Sequence, residues 1–281
     1  KWIAENEIPA DRSRYGAFDI LRDKSDEDVK AIIEAASATE NEEGSDQQRV
    51  GDLYLSFQDF ATRDESGIAP LQPFLAQIDA IASKDDVFAF FGVAARLGFN
   101  GPVGMFAYAD AKNPGINAMY LSQGGIGLPE REYYFKDDEK SEVLRQQYKA
   151  LITDVHALAG LTIDPRALDV IYSLEESIAA AQMTKEETRN FANNYTKFEQ
   201  DELGNLVTDA PWDQFLSAFG LPEPGYLVSV TTPFFAQLGS IVEETGLDEW
   251  KLYLRWQVLN SQASRLTRAL DDRNFAFYGK A

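Results

Sequence analysis

Apolar residues return at helical spacing along most of this chain, and the stripes are separated by caps and turns. Val29, Ile32, Ile33 and Ala36 form the first stripe, with Ser25 and Asp28 placed as a capping box ahead of it. After an acidic, turn-rich link over 40–46, Val50, Leu53, Tyr54, Phe57 and Phe60 make a second stripe that stops near Gly67. Leu71, Phe74, Leu75, Ile78 and Ile81 make a third, and Ser83 with Asp86 caps a fourth that ends at Gly98. The period then changes. Residues 103–110 and 116–122, rich in Phe, Tyr, Val and Leu, flank Asn113-Pro114-Gly115, which suits a type II turn, so the spacing predicts a β-hairpin.

Helices resume after Gly127-Leu128-Pro129. One carries Leu144, Tyr148, Leu151, Ile152, Val155 and Leu158; the next opens at Asp164-Pro165 and runs through Leu168, Ile171, Tyr172 and Ile178. Thr184 with Glu187 forms another capping box, Trp212 to Phe219 a short helix, and Tyr226 to Val230 a strand. A long final helix is expected from Asp248 to Leu270. Trp250, Leu252, Tyr253, Leu254, Trp256, Val258 and Leu259 cover more than one of its faces, the pattern of a helix buried on several sides. Leu266, Leu270, Phe275, Phe277 and Tyr278 carry the apolar surface onward, so a large exposed patch is expected at that end. No period of 20–50 residues repeats and no Ser/Gly linker divides the chain. The fold class expected is mainly α: a multi-helix body with a small β-hairpin.

Composition removes several functions. The net charge of −20, from 26 basic and 46 acidic residues, repels a phosphate backbone, so no nucleic-acid partner is expected. An anionic membrane surface is disfavoured likewise, and no transmembrane segment is expected, because the most apolar stretch, 87–95, is far short of the ~20 residues a span needs. With no cysteine there are no disulfides, thiolate metal sites or cysteine nucleophiles. With one histidine, His156, a zinc site needing two imidazoles cannot form. The chain opens Lys1-Trp2-Ile3 without an initiator methionine or a leader, and is expected to be trimmed.

Individual residues point weakly to chemistry. His156 has no H-E-x-x-H around it and reads as a surface or boundary imidazole. The pairs Glu130/Glu132 and Asp137/Asp138 could serve a carboxylate hydrolase, yet among 46 acidic residues such pairs usually solvate a face. Glycines 124, 125 and 127 lack a following G-K-[ST], and Asn194-Tyr195-Thr196 is a glycosylation sequon of a kind common by chance.

More specific is the run Ile8-Pro9-Ala10-Asp11-Arg12-Ser13-Arg14-Tyr15-Gly16-Ala17-Phe18-Asp19-Ile20-Leu21-Arg22-Asp23, preceded by Trp2. It resembles the opening of the neprilysin and endothelin-converting-enzyme family of zinc metalloendopeptidases. Gly127-Leu128-Pro129-Glu130-Arg131-Glu132-Tyr133-Tyr134 is similar to the family's G-L-P-x-R-x-Y-Y; Leu254-Arg255-Trp256 and Arg273-Asn274-Phe275-Ala276-Phe277-Tyr278-Gly279 look like the end of its N-terminal region. The matches fall in the family's order and span the chain. The resemblance implies a helical region, usually paired with a catalytic domain that carries zinc on H-E-x-x-H and a downstream E-x-x-x-D. H-E-x-x-H does not occur within these 281 residues, and in the family both motifs follow the Tyr-Gly element seen here at Tyr278-Gly279. Asn117-Ala118-Met119-Tyr120 echoes the family's substrate-gripping strand, but that strand belongs just before the zinc helix, and no function is carried onto the echo.

By resemblance, Arg14 would bind the C-terminal carboxylate of a short peptide, Asp19 would hold Arg14 in place, Arg22 would add positive charge and Phe18 would line the apolar pocket beside the scissile bond. Guanidinium chemistry suits that role, since a planar fork grips a carboxylate with two bonds. Residues 1–23 would form a substrate-side segment and 24–281 a helical cap. The implied function is the substrate-enclosing region of a peptidase for small peptides, its zinc and zinc ligands lying in a catalytic domain that would be its partner, with a periplasmic or secreted location favoured over the cytoplasmic alternative. The alternative is a non-catalytic peptide-binding or adapter module.

Overall fold

The computed structural model describes residues 8, 9, 12, 14–190 and 194–279, and backbone contacts divide the chain into two units, Lys1–Thr62 and Arg63–Ala281. In the first, helix α1 (Ala17–Ala38) packs against α2 (Asp46–Gln58). α1 starts ahead of the expected Ser25 box because Asp19 caps it, its carboxylate accepting from the Gly16 N–H at 2.9 Å. The second stripe is broken at Asp59, whose carboxylate accepts from the Thr62 N–H at 3.1 Å and starts a new short helix, α3 (Phe60–Ser66). The unit boundary falls inside α3.

The second unit continues with α4 (Gln72–Asp79) and α5 (Lys84–Leu97). α5 shows the expected Ser83–Asp86 capping box and ends on Gly98 in the left-handed conformation, φ 71°. Strands β1 (Val103–Asp110) and β2 (Asn113–Gln123) form the expected hairpin, Phe106 facing Tyr120 across it. The turn, however, is at Ala111-Lys112 rather than Asn113-Pro114-Gly115. Asp110 Oδ1 accepts from the N–H groups of Lys112 (2.7 Å) and Asn113 (3.2 Å), closing the chain early and leaving Pro114 and Gly115 in the strand.

Helices α6 (Glu132–Phe135), α7 (Glu139–Leu158), α8 (Pro165–Ala181) and α9 (Lys185–Thr188) follow, the last two capped by Asp164 and Thr184 as expected. Then come β3 (Thr196–Glu199), α10 (Trp212–Phe219), β4 (Tyr226–Ser229), α11 (Thr232–Glu244), α12 (Leu247–Gln262) and α13 (Arg268–Tyr278). The strands form one mixed sheet in the order β1-β2-β4-β3, with β2 and β4 parallel and the outer pairs antiparallel. β3 is too short to leave a periodic signal. β2 is an interior strand, and within the Asn117–Tyr120 echo Met119 and Tyr120 are paired on both sides, to β1 and to β4.

α12 runs through the core. Trp250, Tyr253, Leu254, Trp256, Val258 and Leu259 are all buried, as an all-round apolar helix requires. The expected single final helix is two. A 3₁₀ turn over Ala263–Arg265 breaks it, and Thr267 Oγ1 accepts from the Leu270 N–H to cap α13. Arg63 braces this corner, donating to the carbonyls of Leu266 (2.7 Å) and Ser264 (2.9 Å) and pairing with Asp271. Of the expected exposed patch, Leu266, Leu270 and Phe277 are buried, while Phe275 and Tyr278 stay exposed. Further exposed apolar side chains occur in the first unit, at Phe18, Leu21, Val29, Ile32, Leu53 and Leu55.

Candidate functional site

Ahead of α1 the Arg12 N–H donates to the Pro9 carbonyl at 3.0 Å. Asp23, one turn beyond Asp19, organises it. Arg12 donates to both Asp23 oxygens at 2.9 and 2.8 Å, Tyr15 donates its hydroxyl at 3.0 Å, and the Arg12 guanidinium lies 5.3 Å over the Tyr15 ring. The Arg12 bonds hold the Asp23 carboxyl below its ordinary range. Asp19 caps the helix and stands 3.6 Å from Arg22 Nη2. Arg14 is exposed, and among the described residues its guanidinium has no partner. Phe18 is 88% exposed.

Arg14 thus stands three residues ahead of α1, and Phe18, Asp19 and Arg22 lie in its first two turns. Asp19 engages the cap and Arg22, while Arg14 and Phe18 stay open to solvent. Arg14, its guanidinium unpartnered among the described residues, and the exposed aromatic ring of Phe18 have the chemistry to meet a carboxylate and an apolar side chain. The sequence reading missed the role of Arg12, Tyr15 and Asp23. Its available signal was the i, i+4 spacing of Asp19 and Asp23, which puts both on one helix face.

In the second unit the other two motif regions converge on a residue the sequence reading also missed. Glu175 of α8 is fully buried. Tyr134 donates to its Oε2 at 2.6 Å and Tyr148 to its Oε1 at 2.7 Å; Gln257 Nε2 donates at 2.7 Å, Trp256 Nε1 at 3.1 Å and the Gly127 N–H at 3.2 Å. Tyr134 Oη in turn accepts from the N–H groups of Gly127 and Leu128, and Tyr148 Oη from Trp256, so both phenol protons point at the carboxylate. A proton on Glu175 would find no acceptor. The group is thus a buried anion held by neutral donors, although burial raises its pKa against their pull. The same carboxylate and the loss of solvent push the phenols of Tyr134 and Tyr148 far up. Tyr278 completes the knot, donating to the Gly127 carbonyl at 3.2 Å. Gly127 cannot be larger, because a Cβ there would lie 1.9 Å from Tyr148 Oη. The signal for Glu175 was its place on the apolar stripe of Ile171, Leu174 and Ile178.

A catalytic zinc does not fit these residues. His156 is buried rather than at the surface, stacked on Trp256 at 5.9 Å, its Nδ1 2.7 Å from the Ile152 carbonyl. Burial lowers its pKa and favours the neutral ring. Among the described residues no three His, Asp or Glu side chains gather to hold a metal. The paired carboxylates have structural work: Glu130 binds Lys185, and Asp138 accepts from Ser141 N–H and Oγ at 3.0 and 2.8 Å to cap α7. No helix among the described residues is long and apolar enough to cross a membrane.

Comparison with known proteins fits this arrangement. The N-terminal profile of Peptidase family M13 matches residues 1–281. Rat endothelin-converting enzyme 1 is 24% identical over 294 residues, covering 98% of this chain and 37% of the relative. The open state of Mycobacterium tuberculosis zinc metalloprotease Zmp1 superimposes with a TM-score of 0.87 at 31% identity, over 99% of this chain and 44% of that one. PepO of Lactobacillus rhamnosis HN001, at 15% identity and a TM-score of 0.73, shares the fold. The chain spans about two fifths of the length of these relatives. It belongs to peptidase family M13 and corresponds to that family's N-terminal domain.

Proposed function

We propose that the chain is the substrate-enclosing N-terminal region of a neprilysin-like zinc metalloendopeptidase acting on small peptides, with zinc held by residues elsewhere in the protein. The observation that carries this reading is the family match along all 281 residues, with the motif regions around Glu175 assembled into one buried knot. In this reading residues 1–23 face the substrate and 24–281 form the cap. Arg14 binds the peptide's C-terminal carboxylate and would be held by Asp19, which in this structure engages Gly16 N–H and Arg22 instead; Arg22 adds charge and Phe18 meets an apolar side chain. The cap's task is positional: it orients the peptide and keeps folded proteins out, while bond cleavage belongs to the catalytic domain.

Arg14→Ala, made in the protein joined to its catalytic domain, tests the assignment. Losing one charge-assisted contact costs about 1.5–3 kcal/mol, so kcat/KM for a peptide with a free C-terminal carboxylate two residues past the scissile bond falls roughly ten- to hundredfold. The amidated peptide changes little. Equal losses on both peptides make Arg14 structural only.

A further inference from the structure

Arg12, Arg14 and Tyr15 lie ahead of α1, outside its hydrogen-bonded turns, in the kind of stretch whose backbone is costly to order. One carboxylate, that of Asp23 in the second turn of α1, holds this stretch at two points. Arg12 brings both of its Nη atoms onto the two Asp23 oxygens, at 2.9 and 2.8 Å, and the Tyr15 hydroxyl donates to Oδ2 at 3.0 Å. The Arg12 guanidinium also lies 5.3 Å over the Tyr15 ring, so the two anchors brace each other. The side chains of the ion pair are only 29% and 28% exposed, which spares it part of the screening that weakens surface pairs.

Arg14 stands between these anchors, two residues after Arg12 and one before Tyr15. Its guanidinium is exposed and has no partner among the described residues. Asp19, which the family resemblance casts as the holder of Arg14, accepts from the Gly16 N–H at 2.9 Å and stands 3.6 Å from Arg22. Asp19 also caps α1, so the Asp23 bonds are not what starts the helix. They fix the chain on both sides of Arg14 and leave its side chain open. A guanidinium carried on a fixed backbone loses less freedom on gripping a carboxylate than one on a loose segment.

We propose that Asp23 is a positioning residue for peptide recognition: through Arg12 and Tyr15 it presets the backbone that carries Arg14, so that Arg14 meets a peptide's C-terminal carboxylate already in place. The proposal rests on the reading of Arg14 as the carboxylate-binding group. It adds a role for a residue that itself touches no peptide.

Steady-state kinetics of the chain joined to its catalytic domain test it, on a peptide whose free C-terminal carboxylate lies two residues past the scissile bond and on the C-terminal amide of that peptide. Asp23→Asn removes a negative charge, so its field alone would tighten the hold on an anionic peptide. Positioning predicts the opposite sign: KM for the free acid rises about fivefold, far more than for the amide, with kcat near the parent's. Arg12→Lys keeps the charge but gives up the two-point grip. It should move KM in the same direction, and it covers the case in which Asp23→Asn misfolds. On an Arg14→Ala background, Asp23→Asn should add nothing to the difference between acid and amide, because the effect runs through Arg14. An unchanged or lowered KM for the free acid in both variants, equal rises for the two peptides, or a full further effect on top of Arg14→Ala would overturn the proposal and leave the Arg14 reading standing. Arg14→Ala acting equally on both peptides would overturn that reading, and the proposal with it.

Discussion

Glu175 shows how a single charge can be kept inside a protein without a counter-ion. Five donors from four segments of chain replace its hydration, and each donor is neutral. Glu175→Gln keeps the shape but puts an amide NH₂ where five hydrogen-bond donors already converge. We expect a loss of about 3 kcal/mol in urea unfolding, from unmet bonds to a charged acceptor. A loss within experimental error would mean the site is protonated. Asp110 behaves differently. Tyr226 (2.7 Å), Tyr195 (3.1 Å) and the turn N–H groups hold its pKa below the ordinary value, with the Tyr226 bond the largest cause. Its stabilisation is therefore complete above the ordinary carboxylate pKa of about 3.9 and is lost as pH falls through the lower folded value. Asp23, Asp86 and Asp138 have the same sign, whereas Glu175, with its pKa raised, is relieved by acid. The thermal midpoint should fall steeply below about pH 4. Asp110→Asn should make that fall shallower, and an unchanged acid limb would count against the tyrosine cage.

At the scale of elements, the loop 124–129 is held between α7, α8 and α12 by backbone contacts that only glycine permits. Gly127→Ala places a methyl where Tyr148 Oη now sits, forcing that ring off Glu175. A loss of about 2–4 kcal/mol is expected, with near-ultraviolet dichroism reporting the displaced aromatics. A near-neutral change would show that the loop can yield. Local chemistry was the legible part of this architecture. Ser83 with Asp86, Asp164 with Pro165 and Thr184 with Glu187 cap the helices where spacing places them, because a cap and its partner are three residues apart. The hairpin was legible from its change of period, but its turn was displaced by Asp110, a side chain whose cage reaches Tyr195 and Tyr226 far along the chain. Arg12 with Asp23, and Glu175 with its donors, were hidden for the same reason, since no local pattern announces a partner eleven or eighty residues away.

The whole molecule joins an acidic surface to an N-terminal unit rich in exposed apolar side chains. Phe18, Leu21, Ile32 and Leu53 are each more than half exposed on the α1–α2 pair, in a chain of net charge −20. Scattered exposed apolar residues are ordinary, and the α1–α2 pair carries more of them than the closed interior of the second unit leaves exposed around α12. The interior of the second unit, by contrast, is closed around α12 and the Glu175 knot. In the function proposed above, this region supplies shape, charge and a carboxylate grip, and metal chemistry belongs to other residues. Metal analysis after dialysis, with chelator-sensitive cleavage of a short peptide, tests that division most directly, run on the 281-residue chain and on the same chain joined to an M13 catalytic domain. The account predicts no retained zinc and no cleavage for the chain alone, and about one zinc per molecule with cleavage abolished by chelator for the joined protein. Stoichiometric zinc with chelator-sensitive cleavage in the chain alone, or a joined protein that binds zinc but cuts no peptide, would contradict it.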